Sequence, residues 1–276
     1  MNAKRLTAHR VVTTLVLLVS ALAGLFSPQH EGDVGGLLPP RAAQASSPDL
    51  QAAIAGSWLH TCALKGGQVY CWGRNHYGQL GDGTTTQRIT PTLVADGVMG
   101  NSGVTAVDAG AYHTCALKGG QVYCWGYNHF GQLGDGSGGP GTNRTTPTLV
   151  EDGAMGNSGV TAVAAGVYHT CAIKSGALYC WGYNYYGQLG NGTTSNSSTP
   201  VAVANMGSGV TAVAAGAVHT CALKGGQVYC WGHNGYGQLG GSNLATNTPV
   251  TNMGSGVTAV AAGYHHTCAQ QGGQVY

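Results

Sequence analysis

The sequence predicts an all-β protein, a β-propeller of four-stranded blades, on the strength of three observations. A fourteen-residue stretch that begins with His-Thr-Cys-Ala and ends with Tyr-Cys-Trp-Gly recurs almost unchanged along the chain. Its copies occupy 60–73, 113–126, 169–182 and 219–232, and a fifth copy begins at His266. A spacing of about 50 residues is typical of propeller blades or solenoid turns. Glycine is abundant, at 48 of 276 residues, and only 7% of residues are charged, which favours short strands and tight turns.

The N-terminus has the pattern of a secretory signal peptide. A charged start with Lys4, Arg5 and Arg10 precedes a mainly apolar run over 11–26. A charged region followed by an apolar region is the order found in export signals. The sequence therefore predicts a signal peptide at 1–26 and a protein that is secreted or held at the cell surface.

The cleavage site of this signal is open at this point. Small residues stand at the required spacing before cleavage after Ala23 and again as late as Ala45. An uncleaved membrane anchor is the alternative, although the run is shorter than the ~20 residues that span a bilayer. Segment 27–49 contains four prolines and is predicted to be a linker, and the repeats occupy 50–276.

Each repeat opens with a short strand of small and β-branched residues. The sequence Val-Thr-Ala-Val-Ala-Ala at 160–165 has close copies that start at Val104, Val210 and Val257, and 50–55 is a degenerate first version. A glycine precedes each hairpin, and these glycines are interpreted as equivalent positions: Gly56, Gly110, Gly166, Gly216 and Gly263.

The next two strands are predicted to form a β-hairpin around a two-residue turn. In the first repeat the turn is Gly66-Gly67, since a Gly-Gly pair adopts the positive φ values of such turns without steric strain. Lys65 then lies opposite Gln68 as the closing pair. The third repeat replaces the turn by Ser-Gly and keeps the spacing.

This register places the two cysteines of every complete hairpin opposite each other. Opposed Cα atoms at a non-hydrogen-bonded pair lie about 4.5 Å apart, at the near edge of the range for disulfides. The sequence predicts four disulfides, Cys62–Cys71, Cys115–Cys124, Cys171–Cys180 and Cys221–Cys230. A zinc cluster that includes His60, or free buried cysteines, are the alternatives. Disulfides are favoured because zinc sites prefer closer cysteine pairs and because an exported chain enters an oxidising compartment.

The remainder of each repeat contains a loop and a last strand. Every complete hairpin leads into Asn-x-x-Gly-Gln-Leu-Gly, as at 128–134, and Thr-Pro then opens a strand such as 147–150. Both faces of the hairpin are largely apolar, which indicates sheets packed on both sides, as in a propeller. The predicted blades are 50–103, 104–159, 160–209, 210–256 and an incomplete 257–276.

These repeats resemble those of the regulator of chromosome condensation family. The resemblance rests on Val-Ala-Ala-Gly-x-x-His-Thr followed by Val-Tyr-Cys-Trp-Gly-x-Asn-x-x-Gly-Gln-Leu-Gly, and it covers 50–276. It implies a β-propeller, usually of seven four-stranded blades. The family's founder is a nuclear guanine-nucleotide exchange factor for the small GTPase Ran that also binds chromatin, so the resemblance implies an exchange factor as one functional hypothesis.

The chain departs from that founder in ways that favour a secreted, disulfide-bearing variant of the bacterial type. It has an export leader where the founder has a basic nuclear tail, and cysteines stand where the family usually has aliphatic residues. No inserted wedge segment for nucleotide exchange is visible. The chain is also similar to the propeller-type β-lactamase inhibitor protein, a secreted binder, although only the Trp-Gly-x-Asn segment is shared.

The fifth repeat stops before its hairpin is complete. The register places the partner of Cys268 one position beyond Tyr276. We therefore expect the chain to be a fragment of a longer parent, of seven blades if it follows the family. A closed ring of five blades is the alternative.

Composition and motifs exclude several classes of function. The net charge of +2, with no basic run beyond the N-terminus, argues against nucleic-acid binding. Membrane contact is expected only if the leader stays uncleaved. No Ser-His-Asp arrangement, carboxylate pair or phosphate-binding loop emerges, so the sequence predicts neither an enzyme nor a cofactor.

Two repeated features are interpreted as structural. The histidines His60, His113, His169, His219 and His266 could line a channel and bind a metal, but a site normally breaks repeat symmetry, which favours one structural hydrogen bond per blade. The Asp-Gly-Thr type loops at 82–84, 135–137 and 191–193 have too few acids for a calcium site and are predicted to be turns.

The loops after Trp-Gly-x-Asn vary between repeats and carry aromatic side chains. They supply the candidate binding residues, Tyr77, Tyr127, Phe130, Tyr183, Tyr185, Tyr186 and Tyr236. Exposed aromatic residues suit sugar stacking or protein hot spots, whereas packing between blades is the alternative. The sequence thus predicts a secreted, non-enzymatic scaffold that binds a protein or a surface glycan. The exchange factor and the secreted enzyme inhibitor are the alternative functions.

Overall fold

The computed structural model describes residues 54–241 and 253–276, together with the backbone of Thr248–Pro249. All regular structure in these residues is β, with nineteen strands in five antiparallel sheets. The predicted all-β architecture is confirmed. Nowhere in the described ranges is there a helix long and apolar enough to cross a bilayer. The predicted signal peptide and linker lie outside the described residues.

The sheets follow the repeats, with strands paired in chain order. The first sheet contains β1 (Ile54–Gly56), β2 (His60–Lys65), β3 (Gln68–Gly73) and β4 (Arg88–Leu93). The second contains β5 (Val104–Ala109), β6 (His113–Lys118), β7 (Gln121–Gly126) and β8 (Arg144–Leu149). The third contains β9 (Val160–Ala165), β10 (His169–Lys174), β11 (Ala177–Gly182) and β12 (Ser197–Ala202).

The fourth sheet contains β13 (Val210–Ala215), β14 (His219–Lys224), β15 (Gln227–Gly232) and β16 (Thr248–Pro249). The fifth contains β17 (Val257–Ala262), β18 (Thr267–Gln271) and β19 (Gln274–Val275). We call the five sheets blades 1 to 5. The first strands of successive blades contact one another, so these strands lie nearest the propeller axis.

The hairpin register is the predicted one. Lys65 pairs with Gln68 and Cys62 with Cys71, while Gly66 and Gly67 have φ values of 60° and 74°. In blade 3 the first turn position is Ser175, which adopts φ of 51° and keeps the same register. The turn geometry therefore determines which residues face each other, even where the turn sequence changes.

All four predicted disulfides are present. They are Cys62–Cys71, Cys115–Cys124, Cys171–Cys180 and Cys221–Cys230, with Cα–Cα distances of 4.0 to 4.1 Å. All eight cysteines are buried. Cys268 in blade 5 is a free, half-buried thiol.

One predicted equivalence is wrong by a single residue. Gly56 pairs with Thr61, whereas in blade 2 the residue that pairs with the matching Thr114 is Ala109. The amide of Ser57, not that of Gly56, donates to the carbonyl of His60, as Gly110 does to His113. The loop ahead of the first hairpin begins one position later than the glycine suggested, because strand pairing and not residue type sets the register.

Blades stack by placing the disulfide face of one sheet on the tryptophan face of the next. Between blades 1 and 2, Cys62, Val69 and Leu80 pack in one cluster with Ala116 and Trp125. The same arrangement recurs between blades 2 and 3 and between blades 3 and 4. Both faces of a hairpin are apolar because an interior blade has a neighbouring blade packed on each face.

Candidate functional site

A set of hydrogen bonds, which we call the interblade lock, joins each blade to the next. At the first interface the carbonyl oxygen of Gln79 accepts from the Thr114 hydroxyl at 2.7 Å and from the Trp125 indole at 3.0 Å. The same three residue types recur as Gln132 with Thr170 and Trp181, and as Gln188 with Thr220 and Trp231. At the fourth interface the carbonyl oxygen of Gln238 accepts from the Thr267 hydroxyl at 2.8 Å.

Each lock also contains a hairpin histidine. His60 Nε2 lies 2.7 Å from the Thr114 hydroxyl, and the equivalent distances at the other interfaces are 2.8 to 3.1 Å. Because the Thr114 hydroxyl gives its one proton to the Gln79 carbonyl, it must accept from His60 Nε2. The histidine is therefore the tautomer with its proton on Nε2, and it acts as a structural donor between blades.

Burial keeps the imidazoles of His60 and His219 neutral. It lowers the pKa of His60 to about 3, and it lowers the pKa of His219 to about 4 with help from His265, His266 and His233 nearby. The structural interpretation of the histidines is confirmed at the four interfaces, where the partner is a threonine of the next blade. His266 of blade 5 is exposed.

The Asp-Gly-Thr type loops are turns, as predicted. The Asp82 carboxylate accepts from the backbone and hydroxyl of Thr84 and from Arg88 Nε at 2.7 Å. Burial alone would raise the pKa of Asp82, but these hydrogen bonds outweigh it and hold the pKa below its usual value. Asp135 is held in the same way by Ser137 and Arg144.

A network of fourteen rings lies at one end of the propeller, and we call it the aromatic face. In each hairpin the loop before the first strand and the loop after the second strand emerge at this end, away from the Gly-Gly turn. The aromatic face consists of Trp58, Tyr77, Tyr112, Tyr127, His129, Phe130, Tyr168, Tyr183, Tyr185, Tyr186, His233, Tyr236, Tyr264 and His265. All seven candidate residues from the sequence belong to it.

Ring pairs bridge every blade interface. The ring centroids lie 4.7 Å apart in three pairs and 4.5 Å apart in a fourth. These pairs are Tyr77–Tyr127, Phe130–Tyr183, Tyr186–His233 and Tyr236–His265. Each joins a loop of one blade to a loop of the next, so the aromatic face continues across all five blades.

An inner group of rings links blade 1 to blade 5. Trp58 lies 5.9 Å from Tyr264 and 6.5 Å from Tyr112, measured between ring centroids. Tyr112 in turn stacks on Tyr168 at 5.4 Å with an interplanar angle of 18°. These contacts add rings from blades 1, 2, 3 and 5 to the row of loop aromatics.

The aromatic face is packed and yet accessible. Tyr236 is 71% exposed, Tyr185 67% and Trp58 52%, while most other rings are half-buried. The rings thus pack between blades, as the alternative interpretation held, and still present apolar surface to solvent. Their role in binding stays a prediction.

Comparison with known proteins gives the family. The profile of the RCC1-like domain matches residues 31–276. The chain belongs to the RCC1-like domain family. The predicted resemblance to the regulator of chromosome condensation repeats is confirmed.

The relatives of this RCC1-like chain are much longer than it is. It is 35% identical over 175 residues to the ultraviolet-B receptor UVR8 of Arabidopsis thaliana, covering 62% of this chain and 38% of the receptor. It is 34% identical over 166 residues to the probable E3 ubiquitin-protein ligase HERC4 of Homo sapiens, covering 59% of this chain and 15% of that protein.

Two solved structures share the fold. Human WBSCR16 superposes with a TM-score of 0.68 at 24% identity, covering 80% of this chain and 57% of that one. Prp20p of Saccharomyces cerevisiae superposes with a TM-score of 0.65 at 22% identity, covering 78% and 54%. The predicted β-propeller is confirmed by these likenesses.

Half of the aromatic face of this RCC1-like propeller was not among the predicted site residues. The omitted rings are Trp58, Tyr112, His129, Tyr168, His233, Tyr264 and His265. Most of them stand one or two positions ahead of the hairpin histidine, where the repeats otherwise vary. An aromatic residue at that place in four of five repeats was the available signal.

Four phenols of the aromatic face have raised pKa values. Burial, and after it the neighbouring phenol groups, raises the pKa of Tyr127, Tyr168, Tyr183 and Tyr264 above the ordinary value. Burial lowers the pKa of His265, and His233 and His266 lower it further. These pKa shifts favour the uncharged forms of the four phenols and of the His265 imidazole.

Proposed function

We propose that the chain is a secreted, non-enzymatic propeller scaffold that binds another macromolecule, a protein or a surface glycan, through the aromatic face. The continuous network of partly exposed rings is the observation that carries this proposal. A contiguous exposed apolar surface on a soluble domain usually marks an interaction site. Rigid tyrosine and tryptophan rings lose little conformational entropy when they are covered.

The distribution of repeated and variable residues supports the same site. The glutamine, threonine and histidine of the interblade lock recur at all four interfaces, and the tryptophan at three of them, so the fold uses these residues. The loop positions of the aromatic face differ from blade to blade, and blade 2 has an additional insertion at 136–146, where Gly139 contacts the loop of His129. Variation on a constant framework is how scaffold proteins place recognition residues.

The proposal of export rests on the disulfides and on the leader. Four buried disulfides form and persist in an oxidising compartment. With the predicted signal peptide at 1–26, they favour a location outside the cell. We accordingly propose the organisation given above, a leader, a linker over 27–49 and the propeller over 50–276.

The acidic residues give no support to an enzyme. Asp82 and Asp135 hold turns together with Arg88 and Arg144. Asp108, buried in β5, accepts from the amide of Ala165 in the next blade at 2.7 Å. Each of these carboxylates has a structural partner, and we propose that the chain acts by binding alone.

Screening the full-length protein against surface-protein fractions and a glycan array tests the proposal. The variant Phe130→Ala/Tyr185→Ala/Tyr186→Ala should lose the captured partner. The matched control is Ile89→Ala, which removes a side chain that is 87% exposed on β4, outside the aromatic face. Capture that survives the triple change would refute the site, and nucleotide exchange on a small GTPase would overturn the functional class.

A further inference from the structure

The aromatic face differs from an anion-binding surface in its charge. Its rings come from the two loops that flank each hairpin, at 57–59, 74–77 and the equivalent positions of the other blades. Within the described part of these loops, Arg74 is the one residue with a fixed charge. Acidic polymers need rows of lysine and arginine, which compensate their charge and release counterions. An acidic glycan or a nucleic acid therefore finds little electrostatic attraction here.

The chemistry of the rings suits polyhydroxylated ligands. A phenol both donates and accepts hydrogen bonds, and its ring offers an apolar face. Nine of the fourteen rings of the aromatic face are tyrosines, and burial keeps the phenols of Tyr127, Tyr168, Tyr183 and Tyr264 protonated, because it raises their pKa. A sugar ring combines an apolar C–H face with a rim of hydroxyl groups, which is the complement of such a surface.

The arrangement is extended and preorganised. The bridging pairs Tyr77–Tyr127, Phe130–Tyr183 and Tyr186–His233 repeat at successive blade interfaces with one centroid distance of 4.7 Å. Rings that are already packed against each other lose little further freedom on binding. A repeated row of similar contacts favours a polymer with repeated units over a single small molecule.

We propose that the aromatic face binds an uncharged polysaccharide, whose sugar rings stack on the exposed aromatic side chains Tyr185, Tyr236 and Trp58. This inference rests on the proposed function and commits it to one ligand class. Several weak stacking contacts along one chain combine by their effective concentration, so the affinity depends on polymer length. Since no net charge is involved, binding is insensitive to salt.

The test is a pull-down of the full-length protein with insoluble cellulose and with insoluble chitin, and with cross-linked polygalacturonate as the acidic counterpart. We expect at least one neutral polymer to retain the protein equally at low and at 1 M NaCl, and polygalacturonate to retain little. Tyr185→Ala/Tyr236→Ala should weaken retention at least tenfold. Tyr185→Phe/Tyr236→Phe keeps the rings and should retain most of the binding, as should Ile89→Ala.

Tryptophan fluorescence gives a second measurement. Trp125, Trp181 and Trp231 are fully buried, so Trp58 dominates the quenching by acrylamide together with the half-buried Trp72. A soluble neutral oligosaccharide from the retained polymer should protect wild type from quenching and leave Trp58→Phe unaffected. The altered residues are exposed, so we expect each variant to keep the melting temperature of the wild type. An unchanged melting temperature shows that the variants are folded.

The outcomes separate this inference from the proposed function. Failure of both neutral polymers to bind, salt-sensitive retention dominated by polygalacturonate, or equal binding by the double alanine variant overturns the polysaccharide inference. If a protein from the surface fraction is instead lost in the alanine variant, the proposed function stands and the ligand class is wrong. If neither polymer nor protein binds through these residues, both are wrong.

Discussion

The interblade lock and the aromatic face occupy the same four blade interfaces, but the residue types of the lock repeat from blade to blade and those of the face vary. In the lock, the carbonyl of Gln132 meets Thr170 and Trp181, and the same residue types recur at the neighbouring interfaces. In the aromatic face, Phe130–Tyr183 becomes Tyr186–His233 one blade later. The lock residues are buried at the first three interfaces and Thr267 is half-buried at the fourth, whereas three rings of the face are more than half exposed.

The difference teaches which positions the fold constrains. The threonine of each lock donates to a backbone carbonyl and accepts from a histidine of the preceding blade, and the same hydrogen bonds recur at all four interfaces. A ring in the aromatic face contacts another ring and solvent, and several ring types satisfy such contacts. Residues that repeat from blade to blade are therefore the ones that hold the blades together. Residues that differ between blades at equivalent positions belong to the surface.

The largest effect is expected at a lock tryptophan. Trp181 is fully buried and donates to Gln132, so Trp181→Ala should lower the free energy of unfolding by about 3–5 kcal/mol. The matched control is Trp72→Ala in blade 1, where the equivalent side chain is half-buried and the loss should be about 1–2 kcal/mol. Urea denaturation followed by circular dichroism measures both, and equal losses would contradict the lock.

A glycine beside the lock is the next most sensitive position. Gly134 has φ of 73°, and a Cβ there would lie 2.6 Å from Trp181 Nε1. Gly134→Ala should cost about 1–2 kcal/mol for the left-handed backbone and about 1–3 kcal/mol more for the clash. Gly83→Ala has a similar φ of 81° with open space around it and should show only the backbone part. Similar melting temperatures for the two variants would show that the clash is relieved.

The lock should also weaken in acid. Burial lowers the pKa of His219 to about 4, below its unfolded value of about 6.5, so the folded state binds fewer protons than the unfolded chain. The contribution of neutral His219 to the free energy of unfolding is complete above pH ~6.5. It is lost as the pH falls towards 4, a change of about 3 kcal/mol. Urea denaturation between pH 7.5 and 4.5 measures this, and His219→Gln should show a shallower pH dependence. If the free energy of unfolding falls equally steeply with pH in wild type and in His219→Gln, His219 is not the cause of the acid sensitivity.

The smallest effect on stability is expected in the aromatic face. Tyr185→Ala removes a side chain that is 67% exposed, so the free energy of unfolding should change by no more than about 0.5 kcal/mol. The same change should reduce binding, which separates the two regions of each interface experimentally. A destabilisation as large as that of Trp181→Ala would show that the face is part of the core.

The sequence by itself determined what depends on neighbours within one blade. The Gly66-Gly67 turn and the period of two along a strand establish that Cys62 faces Cys71, because pairing in a hairpin follows from the turn. The same reasoning predicts the four-stranded blades and their apolar faces. It misplaced Gly56 because residue type is a weaker guide than pairing.

Tertiary structure decided the contacts between residues about one repeat apart. Partners such as His113 and Thr170 are 57 positions apart in sequence, and no local sequence pattern predicts that they are paired. The meeting of Trp58 and Tyr264 depends on how five blades rotate around a common axis. Each blade's rotation is set by the packing of its disulfide face on the next tryptophan face, and the aromatic face is assembled only when all of these packings are in place.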